Sequence, residues 1–217
     1  MYTLTTKKND VSYYKTKADC LLKKATPLME IYKEDSKNAY FAFLSSSVKI
    51  KANRRRILSS LPIHTISDDL LLRILKHNNI SNEDIKKIQE SVKVFKNMAI
   101  DATENNLLED EISKFSKEEF EKSPLSLFLA DSFYDKKIYY TYEEYLEHLD
   151  LSKKYERNNK NYKLSINNNN TFKNIQVLIC EKNWVMISKA NSPSIHFVIH
   201  HPKLRNAIEN FIPPIVE

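Results

Sequence analysis

Apolar positions recur every three or four residues through most of the first 150 positions and then change to alternation, and this change of period sets out the expected elements. In the first stretch, Ala18, Leu21, Leu22, Ala25, Leu28, Met29 and Tyr32 share one helical stripe within Ser12 to Ser36. Pro27 interrupts it, so a break is expected there, with a short second helix to about Lys33. Tyr40-Phe-Ala-Phe-Leu44 is continuously apolar, and Val48-Lys-Ile-Lys-Ala52 alternates as a strand does. Thr65 to Ala99 predicts two helices, with caps at Thr65 (paired with Asp68) and Ser81 (paired with Asp84). Leu70, Leu71, Ile74 and Leu75 are the inward face of the first; Ile85, Ile88, Val92, Phe95 and Met98 are that of the second. Asn78-Asn79 can take the left-handed turn between them. Asp101 to Leu151 predicts short acidic helices: a stripe of Leu108, Ile112 and Phe115, a cap at Ser116 with Glu119, and a capping box of Thr141 with Glu144 ahead of Tyr142, Tyr145, Leu146 and Leu149.

Three apolar runs close the chain: Ile175 to Cys180, Trp184 to Ser188 and Ile195 to His200. They predict strands, and Pro202 to Phe211 predicts a final helix with proline at its first position. The stretch from Ser152 to Asn170 is polar and asparagine-rich, with at most a short strand at Tyr162 to Ile166. The expected fold is therefore α+β: a mostly helical N-terminal body over 1–152, a linker or exposed loop over 153–170, and a small antiparallel sheet with a closing C-terminal helix over 171–217. The last two could also continue the first as one domain.

Composition narrows the chemistry. The 217 residues contain no glycine, which excludes P-loops, dinucleotide-binding fingerprints, kinase glycine loops, nucleophile elbows and EF-hand loops, because each needs glycine where the backbone turns sharply or meets a phosphate. The shortage of glycine, with abundant Lys, Asn, Ile and Tyr, is what an AT-rich genome produces. Cys20 and Cys180 are too few for a disulfide framework and are expected to be reduced. No apolar run is long enough to span a membrane and no apolar signal core opens the chain, so an intracellular protein without membrane contact is expected. The net charge of +6 is segregated: residues 1–60 carry 13 Lys and Arg against 5 Asp and Glu, 61–152 carry 11 against 19, and 153–217 carry 10 against 4.

The densest basic cluster is Lys49, Lys51, Arg54, Arg55 and Arg56, beside serine and asparagine donors. Guanidinium and ammonium groups so spaced suit phosphate oxygens, which makes this the expected nucleic-acid contact; a solvated basic turn, or pairing with the acidic middle, is the alternative. Helix-turn-helix recognition is not expected of 65–99, because Asn82-Glu83-Asp84 would bring carboxylates to the phosphates. The carboxylates Glu109-Asp-Glu111, Glu118-Glu119 and Glu143-Glu144 read as solvated rather than catalytic. His196 and His200, four apart on a strand, lie about 13 Å apart, too far to share a metal, so neither a metal nor a cofactor is expected. His201, Lys203 and Arg205 at the last helix start are a candidate anion site. Trp184 reads as a core or interface anchor. Together these readings predict a non-enzymatic regulatory or accessory protein that contacts nucleic acid, or alternatively a protein-interaction or scaffold subunit.

Overall fold

The computed structural model describes residues 11–13, 15–17, 19, 42–127, 137–167, 175–189 and 195–212. The chain divides into two compact units, Met1–Asp35 and Ser36–Glu217. In the first, residues 11–13, 15–17 and 19 are helical. There the Thr16 hydroxyl donates to the Ser12 carbonyl at 2.9 Å, and the Lys17 ammonium sits 5.6 Å from the Tyr13 ring centroid. Cys20 and the break expected at Pro27 lie outside the described residues.

The second unit is built on one six-stranded sheet, ordered β3-β2-β1-β4-β5-β6. The strands are β1 (Arg54–Leu58), β2 (Leu108–Ser113), β3 (Tyr162–Asn167), β4 (Ile175–Cys180), β5 (Trp184–Lys189) and β6 (Ile195–Ile199). β1, β2 and β3 run parallel; β4 pairs antiparallel with β1, and β5 and β6 continue as a meander. The protein is thus α+β, and its sheet is mixed: the antiparallel strands expected near the C-terminus are half of a sheet whose other half comes from 54–58, 108–113 and 162–167. Parallel neighbours need crossovers, and these carry the helices. Between β1 and β2 lie a 3-10 turn (Ile63–Thr65), α1 (Asp68–His77) and α2 (Asn82–Thr103); between β2 and β3 lie α3 (Lys117–Lys122) and α4 (Tyr142–Asn158). After β6 comes α5 (Pro202–Phe211).

Several expectations hold and several do not. Ser116 and Thr141 form full capping boxes, each accepting from the third backbone N–H while Glu119 and Glu144 return to the cap. Ser81 caps α2, and Asn79 takes the left-handed turn at φ 56°. The cap of α1 is Ser67, not Thr65, whose hydroxyl donates instead to the Pro62 carbonyl at 2.8 Å. Residues 42–47 are helical and 48–49 turn, so the alternation at 48–52 makes no strand; the strand begins at Arg54. Leu108 to Ser113 is also a strand and not a helix: the i, i+4 spacing of Leu108 and Ile112 equally fits every second position of one sheet face, and pairing with β1 and β3 decides it.

Both faces of the sheet are covered. On one, Leu70, Leu71, Ile74 and Leu75 of α1, Ile88 and Val92 of α2, Ile112 of β2 and Tyr145 and Leu149 of α4 make one buried cluster. On the other, Ile57, Val177, Ile179 and Val185 pack with Ile212, just past α5. Trp184 is buried with Leu44, Leu178, Cys180 and Met186, edge-on to Phe43 at 4.9 Å, as its reading as a core anchor requires.

Candidate ligand-binding cavity

The strand Arg54-Arg-Arg-Ile-Leu58 buries the side chains of Arg54 and Arg55 and partly buries that of Arg56, and each guanidinium must be matched or left costly. Alternation sends Arg54 and Arg56 to the helical face and Arg55 to the other. Arg56 is held by Asp110, whose side chain is fully buried: Nε to Oδ1 and Nη2 to Oδ2 are both 2.6 Å, a two-bond fork. The Tyr162 hydroxyl donates to the same Oδ2 at 2.8 Å. Arg54 donates to main-chain carbonyls, from Nη2 to Ser47 and Ile50 at 2.8 Å each and from Nη1 to Ala52 at 3.1 Å, which closes the end of the helical segment 42–47. Arg55 donates from Nη1 to the carbonyl of Ile212 and so ties the end of α5 to the sheet.

Of the five cations expected to meet nucleic acid, only Lys49 and Lys51 are exposed; Arg54 and Arg55 are buried and Arg56 is held by Asp110. The five do not form one surface patch, and two exposed lysines are a smaller phosphate footprint than five cations. The expectation of solvated carboxylates fails at Glu109 and Asp110 for the same reason: both are buried because β2 is internal, with β1 on one side and β3 on the other.

A second buried polar cluster flanks the first. His64 Nδ1 lies 3.3 Å from Arg56 Nη2, and the imidazole meets Tyr155 and Tyr162 edge-on at 5.1 and 5.3 Å. Burial, reinforced by the Arg56 charge, pushes its pKa down to about 3, so the ring is neutral. Since guanidinium only donates, Nδ1 accepts and the proton sits on Nε2. His148 is buried too and held near 3, chiefly by burial. Tyr140 Oη lies 2.8 Å from its Nδ1 and Thr65 Oγ1 3.1 Å from its Nε2. Thr65 Oγ1 also lies 2.7 Å from Ser152 Oγ, so this network is closed on itself.

Between the sheet and α2 lies a cavity of about 90 Å³. That is several times the roughly 10–15 Å³ a single water needs. Its walls are mainly apolar, with Leu44, Phe95, Met98, Ala99, Leu108 and Leu178, and they also include Arg54, Arg56, His64 and Trp184. No carboxylate belongs to the described lining. Two of the lining side chains are buried with a polar atom lacking any partner: Nε2 of His64 and Nε1 of Trp184. Both are N–H donors. Through the register Arg54↔Cys180↔Trp184, the tryptophan backbone stands two strands from Arg54, roughly 10 Å away at about 4.8 Å per strand. His64 is beside Arg56, farther along β1, so the two donors occupy different parts of the wall. Nothing in the sequence pairs His64 with Trp184, 120 positions later; only the sheet brings them to one cavity.

The candidate anion site lies at the start of α5. Pro202 opens α5, but His201 makes no side-chain cap. His201 and Lys203 are exposed, and Arg205 is turned to Glu209 (Nε to Oε1 3.5 Å) and to the Asn183 carbonyl (Nη1, 3.4 Å). Among the described residues, no three His, Cys, Asp or Glu side chains are grouped to hold a metal, and no helix is long and apolar enough to cross a membrane. Comparison with protein-family models, with characterised proteins and with solved structures gives no match, and the cavity between the sheet and α2 carries the functional reading below.

Proposed function

We propose that the protein is a non-enzymatic accessory or regulatory protein that binds a small molecule in the cavity between its sheet and α2. One observation carries this reading: two buried N–H donors, on His64 and Trp184, line the same cavity without partners. A buried donor left unpaired costs roughly 1–3 kcal/mol, which a ligand accepting from it offsets. Binding suits the wall better than catalysis. Asp110 is engaged by Arg56 and Tyr162, and burial raises the Cys180 thiol and keeps it protonated. Thermal-shift screening of the full chain against a few hundred small molecules tests the reading, with emission from Trp184, the single tryptophan, as the site-specific signal. At least one compound is expected both to raise Tm and to change that emission, and Ala99→Leu, which fills the cavity, should remove both effects. A screen in which no compound does both overturns the reading.

A second reading, as an interaction subunit, rests on the β6 edge. Among the described residues β6 ends the sheet, and Phe197 and Val198 on it, with Leu204 and Phe211 of α5, are exposed. A terminal strand with apolar neighbours suits pairing with a second copy. Sedimentation should then show a dimer that Phe197→Lys dissociates; a monomer at high micromolar concentration removes this reading.

A further inference from the structure

We propose that the ligand is a small, largely apolar molecule carrying two hydrogen-bond acceptors, one of them a carboxylate; this rests on the cavity being a ligand site. The unpaired groups in the wall are both donors, so a ligand that only donates leaves them as they are. One is carried by Trp184 on β5 and the other by His64 beside Arg56 of β1, so a ligand with two acceptors would satisfy both. Among the described lining residues the formal charges are Arg54 and Arg56, and Arg56 is paired with Asp110, which is not in that lining. A wall with two guanidinium groups and no carboxylate in its described lining favours a carboxylate over an ammonium. The remainder of the wall, with Phe95, Met98 and Leu178, calls for an apolar body carrying the two acceptors.

Four compounds of similar size separate the possibilities, titrated against the full chain with Trp184 emission and calorimetry as readouts. They are 4-methoxybenzoate (carboxylate and ether acceptors), 4-ethylbenzoate (carboxylate alone), 4-methoxybenzylamine (a cation) and ethylbenzene (no acceptor). The expected order is 4-methoxybenzoate tightest, 4-ethylbenzoate about tenfold weaker, and the amine and hydrocarbon weaker still. Trp184→Phe should equalise the two benzoates, and His64→Phe should reduce the advantage of both over ethylbenzene. If ethylbenzene or the amine binds as tightly as the carboxylates, the acceptor inference is overturned while the cavity remains a ligand site. If compounds from the wider screen bind and none of these four does, the inference is overturned as well. If nothing binds in either experiment, the underlying reading falls with it. The wild-type ligand order decides these outcomes even where a variant does not fold.

Discussion

Asp110 is the residue on which the interior turns. Its carboxylate takes two bonds from Arg56 and one from Tyr162, and Arg56 in turn reaches His64 at the cavity wall. Removing one partner of a buried pair leaves the other charge uncompensated, and such losses run about 3–5 kcal/mol, whereas replacing both by apolar groups is often near neutral. Asp110→Ala and Arg56→Ala are each expected to destabilise by about that range, with Arg56→Met/Asp110→Leu losing much less than the sum of the single changes. Urea denaturation of the set measures it, and additive losses would show the pair is not coupled. Pairing of the basic cluster with the acidic middle was legible as an alternative, but not which residues pair or that they do so inside, since Arg56 stands in a basic run and Asp110 in an acidic one. Each run looks like surface taken alone; β1 and β2 pair in register, and that sets Arg56 beside Asp110 inside.

At the scale of elements, local rules were readable where local chemistry decides. The boxes at Ser116 and Thr141 and the left-handed Asn79 depend on residues at most three apart, and all were visible. Thr141→Ala is expected to destabilise by about 1 kcal/mol, seen as a lower urea midpoint. β1 and β2 were not visible, because an arginine triplet and an acidic triplet have poor strand propensity and become strands only through their neighbours. The β4–β5 turn shows the consequence of a chain without glycine. Lys182 takes φ 61° there, a conformation that costs a side-chain-bearing residue about 1–2 kcal/mol. Its backbone N–H donates to Glu209 Oε1 at 3.3 Å, an interaction that glycine would keep. Lys182→Gly is therefore expected to stabilise by about 0.5–1 kcal/mol, less than the full strain because glycine also frees the unfolded chain. A lower urea midpoint for this variant would show that the turn is not strained.

For the whole molecule, the α+β class was legible from the change of period, while the single mixed sheet was not, since parallel pairing joins segments about fifty positions apart with helices between them. Two neutral histidines inside that fold set its response to acid. His64 and His148 are both held near pKa 3, against about 6.5 in an unfolded chain, so the unfolded state binds their protons more readily. Their contribution to stability is complete above about pH 6.5 and is lost as pH falls toward 3. Over that window each is worth several kcal/mol, comparable together with a domain's whole stability of roughly 5–15 kcal/mol, so unfolding is expected before pH 3 is reached. Tm should drop steadily from pH 7 to pH 4.5, and more gently in His148→Gln; a flat profile would place at least one ring in solvent. The central claim, that a cavity with unpaired donors between the sheet and α2 is the ligand site, is tested most directly by the indole N–H signal of Trp184, the single tryptophan, in a 15N-labelled protein. The account predicts one signal at the position of an unbonded indole in the free protein, moving downfield when an acceptor-bearing ligand is added. A signal that is already hydrogen-bonded, and that no ligand moves, would contradict it.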